Sequence, residues 1–142
     1  MAEPAQTVKM AGFGYTTDLL NRTVNLAAGI TRADEGKAVT LDTSGDNKYK
    51  LAGDNDPIYG QLVIVEDRAN EGTLVGNVKL HLMGVKLPIK SGQTVARGAF
   101  LIGAGAGEVK AQTADATTVR PSNLYTPATP VNGYAVVYTL NA

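Results

Sequence analysis

Apolar and polar residues alternate along this chain in short runs. Val39 and Leu41 alternate with Thr40 and Asp42, and Tyr49 and Leu51 with Lys48 and Lys50. Val78-Lys79-Leu80-His81-Leu82 and Val85-Lys86-Leu87-Pro88-Ile89-Lys90 repeat the pattern. A period of two places one set of side chains on a dry face and the other in water, which predicts half-buried antiparallel strands. The stretch Ile58–Val65 differs, because Leu62, Val63, Ile64 and Val65 are consecutive apolar residues. This run predicts a central strand buried on both faces, with Val63 in the core. No stretch carries the three- and four-residue spacing of a long amphipathic helix.

The punctuation fits hairpins. Thr43-Ser44-Gly45-Asp46-Asn47 is turn chemistry between two alternating runs, so residues 39–51 predict a hairpin with Tyr49 and Leu51 facing inward. Met83-Gly84 predicts a bulge or tight bend, and Pro88 marks an edge strand or a strand end. Gly103–Gly107 predicts a turn between Phe100-Leu101-Ile102 and the return strand Glu108–Ala111. Thr23–Ala28 predicts a first strand with Val24 and Leu26 on one face, after a helical turn at Asp18–Arg22. Tyr134–Leu140 predicts a last, central strand. The polar stretch 113–132, with Pro121, Pro127 and Pro130, predicts a long loop. The expected architecture is all-β: one antiparallel sandwich or barrel, jelly-roll-like or β-tulip-like, over residues 23–142. Residues 1–22 form an extended N-terminal arm with little to bury.

A loose internal echo runs through the chain. Gly36-Lys37-Ala38-Val39 resembles Gly92-Gln93-Thr94-Val95, and Tyr49-Lys50-Leu51-Ala52 resembles Glu108-Val109-Lys110-Ala111. Ile58–Val63 resembles Asn132–Val137. The echo predicts two related β-layers.

Composition narrows the function classes. The 142 residues suit one domain, and the absence of cysteine removes disulfides, thiolate metal sites and cysteine nucleophiles. No basic start leads into an apolar run, and no apolar stretch approaches the ~20 residues of a membrane span, so neither a secretory signal nor a membrane is expected. Net charge is zero and basic residues are scattered, which argues against nucleic acid. The halves nevertheless differ: residues 1–71 hold 7 Lys/Arg against 11 Asp/Glu, and residues 72–142 hold 6 against 2. That asymmetry is either chance or a dipolar surface that orients the protein on a partner or on its own copy.

Candidate chemistry is sparse. The only histidine, His81, is expected to point to solvent without a triad partner. Asp42, Asp46, Asp54 and Asp56 lack the spacing of a calcium loop and read as turn residues. Glu66, Asp67 and Glu71 share one polar loop. The glycines at 103–107 lead into Glu108 rather than Lys-Ser/Thr and a helix, so they do not read as a phosphate cradle. No enzyme activity, metal or cofactor is expected.

Four pieces in order carry a resemblance: Gly36–Leu41, Pro57–Ile64, Ile89–Val95 and the glycine-rich turn ending Gly107–Ala111. Over this half of the chain the sequence resembles the head decoration, or capsid cement, proteins of tailed bacteriophages. The resemblance implies a small, β-rich, non-enzymatic virion protein on the outer capsid surface. It implies the major capsid protein as partner, with the chain clamping neighbouring subunits together as a homo-oligomer, a dimer or trimer. Candidate contact residues are Phe13, Tyr15, Leu19 and Leu20 in the arm and Leu124 and Tyr125 in the loop. Two other classes stay open. Exposed Tyr59, Tyr125 or Tyr134 in a shallow groove would indicate a carbohydrate-binding module, and converging carboxylates in a pocket a small β-fold hydrolase.

Overall fold

The computed structural model describes residues 21–68, 72–113 and 122–140. The described chain is almost entirely β. Its strands are β1 (Asn21–Leu26), β2 (Ala38–Leu41), β3 (Lys48–Leu51), β4 (Gly60–Arg68), β5 (Thr73–Lys79), β6 (Met83–Pro88), β7 (Leu101–Gly105), β8 (Glu108–Ala111), β9 (Leu124–Tyr125) and β10 (Tyr134–Thr139). The one helical element among them is a single 3-10 turn, Arg32–Asp34. Thr31 caps it, accepting the Ala33 N–H at 3.3 Å while Asp34 Oδ2 accepts the Thr31 N–H at 2.9 Å.

The first five strands close a barrel in the order β1-β3-β2-β4-β5, with β5 returning to β1. The β1–β3 pair is parallel and the others are antiparallel. The second five repeat this order. β6 pairs β10, β10 pairs β9, and β7 pairs β8, all antiparallel. Two isolated bridges complete the ring: Phe100 with Tyr125 joins β7 to β9, and Ile89 with Val109, parallel, joins the end of β6 to β8. The second ring is therefore β6-β8-β7-β9-β10, with its parallel contact at the same place as in the first.

The registers make the repeat specific. In ring one the Gly36 N–H donates to Leu62 O at 2.7 Å and the Leu62 N–H to Lys37 O at 2.9 Å. In ring two the Gly98 N–H donates to Thr126 O at 2.6 Å and the Thr126 N–H to Ala99 O at 3.0 Å. Gly36 and Gly98 both hold left-handed backbone, φ 94° and 84°, which favours glycine. The Ala52 N–H donates to Ala38 O, and its counterpart is Gln112 N–H to Phe100 O. The expected echo is thus present as a repeated topology, in a corrected register. Gly36–Val39 matches Gly98–Leu101, and Tyr49–Ala52 matches Val109–Gln112. The strand after Ile58 matches β9, whereas β10 matches β5.

Each ring has its own core, built from the inward half of each alternation. Val24, Leu26, Ile30, Val39, Tyr49, Leu62, Val65 and Val78 fill the first. Leu82, Leu87, Val95, Leu101, Val109, Leu124, Ala135 and Val137 fill the second, joined by Ala38 and Ala52 from ring one. Small side chains at 38 and 52 let the rings approach backbone to backbone.

Several expectations are corrected. The strand through Val63 is not buried on both faces. Leu62 pairs with Val78 and Ile64 with Asn77, so Val63 is the extra residue of a bulge. The bulge turns both Leu62 and Val65 inward, leaving Val63 partly buried and Ile64 49% exposed. Leu41 lies beyond the core and is exposed, while Thr40 is buried. Asn21 and Arg22 belong to β1 rather than to an arm or helical turn; Asp18–Leu20 lie outside the described residues. Stretch 113–132 contains β9, and Gly103 and Gly105 belong to β7, leaving only Ala106-Gly107 as the turn. The expected bulge at Met83-Gly84 is present, with Gly84 at φ 76° between Val85, which pairs with Val137, and Met83, which pairs with Tyr138. β6 ends at Pro88 and β10 is central in its sheet, as the sequence predicts.

Candidate functional site

The two rings meet along a seam of four backbone hydrogen bonds. The Ala38 N–H donates to Gly107 O at 2.9 Å and the Gly107 N–H to Ala52 O at 3.0 Å. The Asn55 N–H donates to Gly103 O and the Gly103 N–H to Asp56 O, both at 2.9 Å. Lys110 Nζ donates to Asp54 Oδ1 at 2.6 Å across the same seam, and within ring two Lys90 Nζ donates to Ala104 O at 3.2 Å. Lys110's hydrogen bond, then its charge, hold the Asp54 carboxyl below its ordinary pKa. Part of the charge asymmetry between the halves is therefore paired at the seam's exposed edge, acid on ring one meeting base on ring two. The aspartates of the turns are committed locally: Asp42 Oδ1 accepts the Ser44 N–H at 3.0 Å, and Asp56 Oδ2 the Gly53 N–H at 2.9 Å. Among the described residues no three His, Asp or Glu side chains gather into a metal-ligand set.

Two surface features remain. The first is a groove of about 460 Å³ where the rings diverge, lined among others by Ile58, Tyr59, Leu80, Leu82, Ile102 and Leu124. Of its lining residues Tyr59 is half exposed, and Met83 and Leu140, the sequence neighbours of the lining residues Leu82 and Thr139, are exposed. Hydrogen bonds between Leu82 and Thr139, and from the Leu140 N–H to Asn123 O at 2.6 Å, bring these segments together. Asn21 pairs with Lys79, the residue before Leu80, so β1 begins at this end. Asn21 Oδ1 is buried there without a hydrogen-bond partner among the described residues.

The second is a shallower hollow of about 320 Å³ on the outer face of β6 and β10, lined by Lys86, Thr129, Val131, Asn132, Tyr134 and Val136. Strand alternation sends Ala135 and Val137 into the core and leaves Tyr134 and Val136 facing out. Asn132 and Gly133, at φ 53° and 79°, form a left-handed two-residue turn. It holds Val131 and Tyr134 opposite each other through a pair of backbone bonds, 3.1 and 3.0 Å. The Asn-Gly pair is the strongest short hairpin signal a sequence offers, and it is the signal that locates this hollow.

The candidate contact residues fall in different places. Phe13, Tyr15, Leu19 and Leu20 lie outside the described residues. Leu124 is a core residue, nearly fully buried, that also lines the first groove. Tyr125 is partly buried in an aromatic row, its ring 6.5 Å from Phe100 and 6.1 Å from Tyr138. Tyr59 and Tyr134, by contrast, each line a surface hollow and are half exposed. No family model matches the chain, and no curated protein or solved structure matches it.

Proposed function

We propose that this chain is a structural virion protein that binds the outer face of a phage capsid and clamps adjacent major capsid subunits. The observation that carries the reading is the apolar groove lined by Ile58, Leu80, Leu82 and Ile102, with Tyr59 half exposed in its lining and Met83 and Leu140 exposed next in sequence to its Leu82 and Thr139. Exposed apolar surface of this kind favours a protein partner over water. β1 starts at the same end, beside Lys79, and Phe13, Tyr15, Leu19 and Leu20 precede it in sequence. Arm and groove would then engage the shell together, and two linked contacts raise the effective concentration of each. The reading involves no enzymatic step. Many copies, each covering a subunit junction, stabilise the assembled shell by binding it in preference to its parts. On the shell the protein would act as a dimer or trimer, with neighbouring copies adding to occupancy.

The test is co-sedimentation with undecorated heads of the phage whose genome encodes the chain. Full-length protein is expected to pellet with heads. A Tyr59→Ala, Met83→Ser, Leu140→Ser variant and a chain lacking residues 1–17 are each expected to remain largely in the supernatant. Full binding by the triple variant would move the contact elsewhere on the domain, and failure of the full-length chain to pellet would refute the reading.

A further inference from the structure

The hollow at Tyr134 lies at the opposite end of β10 from Leu140, roughly 20 Å away at about 3.3 Å per residue. It is therefore separate from the apolar groove. We infer that it is a saccharide site, selective for acidic sugars. The chemistry of its lining points there. Tyr134 offers a half-exposed aromatic face, flanked by Val131, 67% exposed, and by Val136. An aromatic face with aliphatic flanks matches the C–H faces of a pyranose ring, which gains by leaving water against such a surface. Around this platform stand Lys86, Asn132 and Thr129, a cation, an amide and a hydroxyl, suited to ring hydroxyls and carboxylates.

The acidic preference follows from Lys86. It lies on β6 opposite Val136, facing outward beside the platform. Its ammonium has no ion pair among the described residues, and no Asp or Glu lines the hollow. A carboxylate ligand would complete that pairing. The platform is also pre-formed. The Asn132-Gly133 turn fixes Tyr134 against Val131, and the Ile89 N–H donates to Gly133 O at 2.8 Å, tying the turn to the end of β6. Little ordering is left for binding to impose, which favours weak but specific recognition of a small ligand.

The measurement is an NMR titration of the full-length free protein, following the methyls of Val131 and Val136. The probes are hexagalacturonate and, as the neutral counterpart, maltohexaose. Hexagalacturonate is expected to shift both methyls at millimolar or lower concentration, with affinity falling as salt is raised. Tyr134→Ala is expected to weaken binding at least roughly tenfold, the loss typical of an aromatic anchor. Lys86→Gln is expected to abolish the preference for the acidic over the neutral sugar. Three results overturn the inference: no shift at either methyl, equal affinity for the two sugars in the unaltered protein, or shifts confined to the groove at Tyr59. Head binding is untouched by this experiment, so its outcome and that of the capsid reading are read separately.

Discussion

Replacing Gly103 with Ala tests whether the two rings form one cooperative unit. A Cβ at this position would run into the backbone oxygen of Gly53, with Asp56 O at 3.0 Å and the Ala52 methyl at 3.2 Å behind it. None of these is the far end of a flexible side chain, so the seam must open to admit one methyl. Overpacking of this kind costs about 1–3 kcal/mol. Opening also stretches both bonds that Gly103 makes to Asn55 and Asp56, and a buried backbone group left unsatisfied costs about 1–3 kcal/mol. The expected destabilisation is about 2–6 kcal/mol, a large share of the roughly 5–15 kcal/mol that keeps a domain folded. Urea unfolding followed by circular dichroism and by tyrosine fluorescence supplies the measurement. The unaltered protein is expected to unfold in one transition with coincident probes, and the variant at clearly lower urea. Gly45→Ala is the control, since its added methyl meets only the flexible Lys48 side chain, and it is expected to change stability by less than about 0.5 kcal/mol. If Gly103→Ala unfolds at the same urea concentration as the unaltered protein, the seam is not the tight backbone contact described above.

The bulge in β4 predicts that Leu62→Ala, a cut into the barrel core, costs about 2–5 kcal/mol, while Val63→Ala costs clearly less; equal losses by denaturant unfolding would misplace the bulge. Asp54 is exposed, and its carboxyl is held low in the folded state by Lys110, so its contribution is present above the unfolded carboxylate value of about 3.9 and is lost as pH falls through the lower folded value. Carbon-detected NMR should place the Asp54 midpoint below that of a free aspartate, and Lys110→Gln should return it; an unmoved midpoint in that variant would assign the shift to another group. Deleting residues 1–17 is expected to weaken head binding far more than it alters the melting temperature of the free protein, measured by calorimetry, because that segment carries few large apolar side chains to contribute to a core.

Much of the fold is legible in the alternation. Val24, Leu26, Tyr49, Val78 and Leu87 are all inward, as a period of two requires. The failures have a common cause, since an inserted residue cannot be seen in a pattern of hydrophobicity alone. Val63 reads as the middle of a buried strand because four apolar residues stand in a row, and only pairing with β5 reveals the bulge. Likewise the internal repeat is faint in sequence because equivalent positions share shape rather than residue type. Leu62 is matched by Thr126, both fully buried, and Tyr49 by Val109. Leu124 reads as a loop residue among prolines, yet a two-residue strand is enough to carry it into the core. Of the surface hollows, only the tyrosines are legible in the sequence. Which tyrosine is exposed depends on strand phase, and that is fixed by the partners each strand finds.

The contact between the rings joins unlike surfaces, the base of one hairpin on ring one and the tip of the equivalent hairpin on ring two. Any such head-to-tail joint between equivalent units could be repeated from molecule to molecule and grow into an open fibre. The tip of ring two fits because it carries Gly103 and Gly107. The registers place Leu41 and Asn47 at the same points on ring one. A leucine side chain and an amide stand where the seam has no room for a Cβ. The joint made within each chain is therefore not one that ring one's own tip can repeat in the next chain.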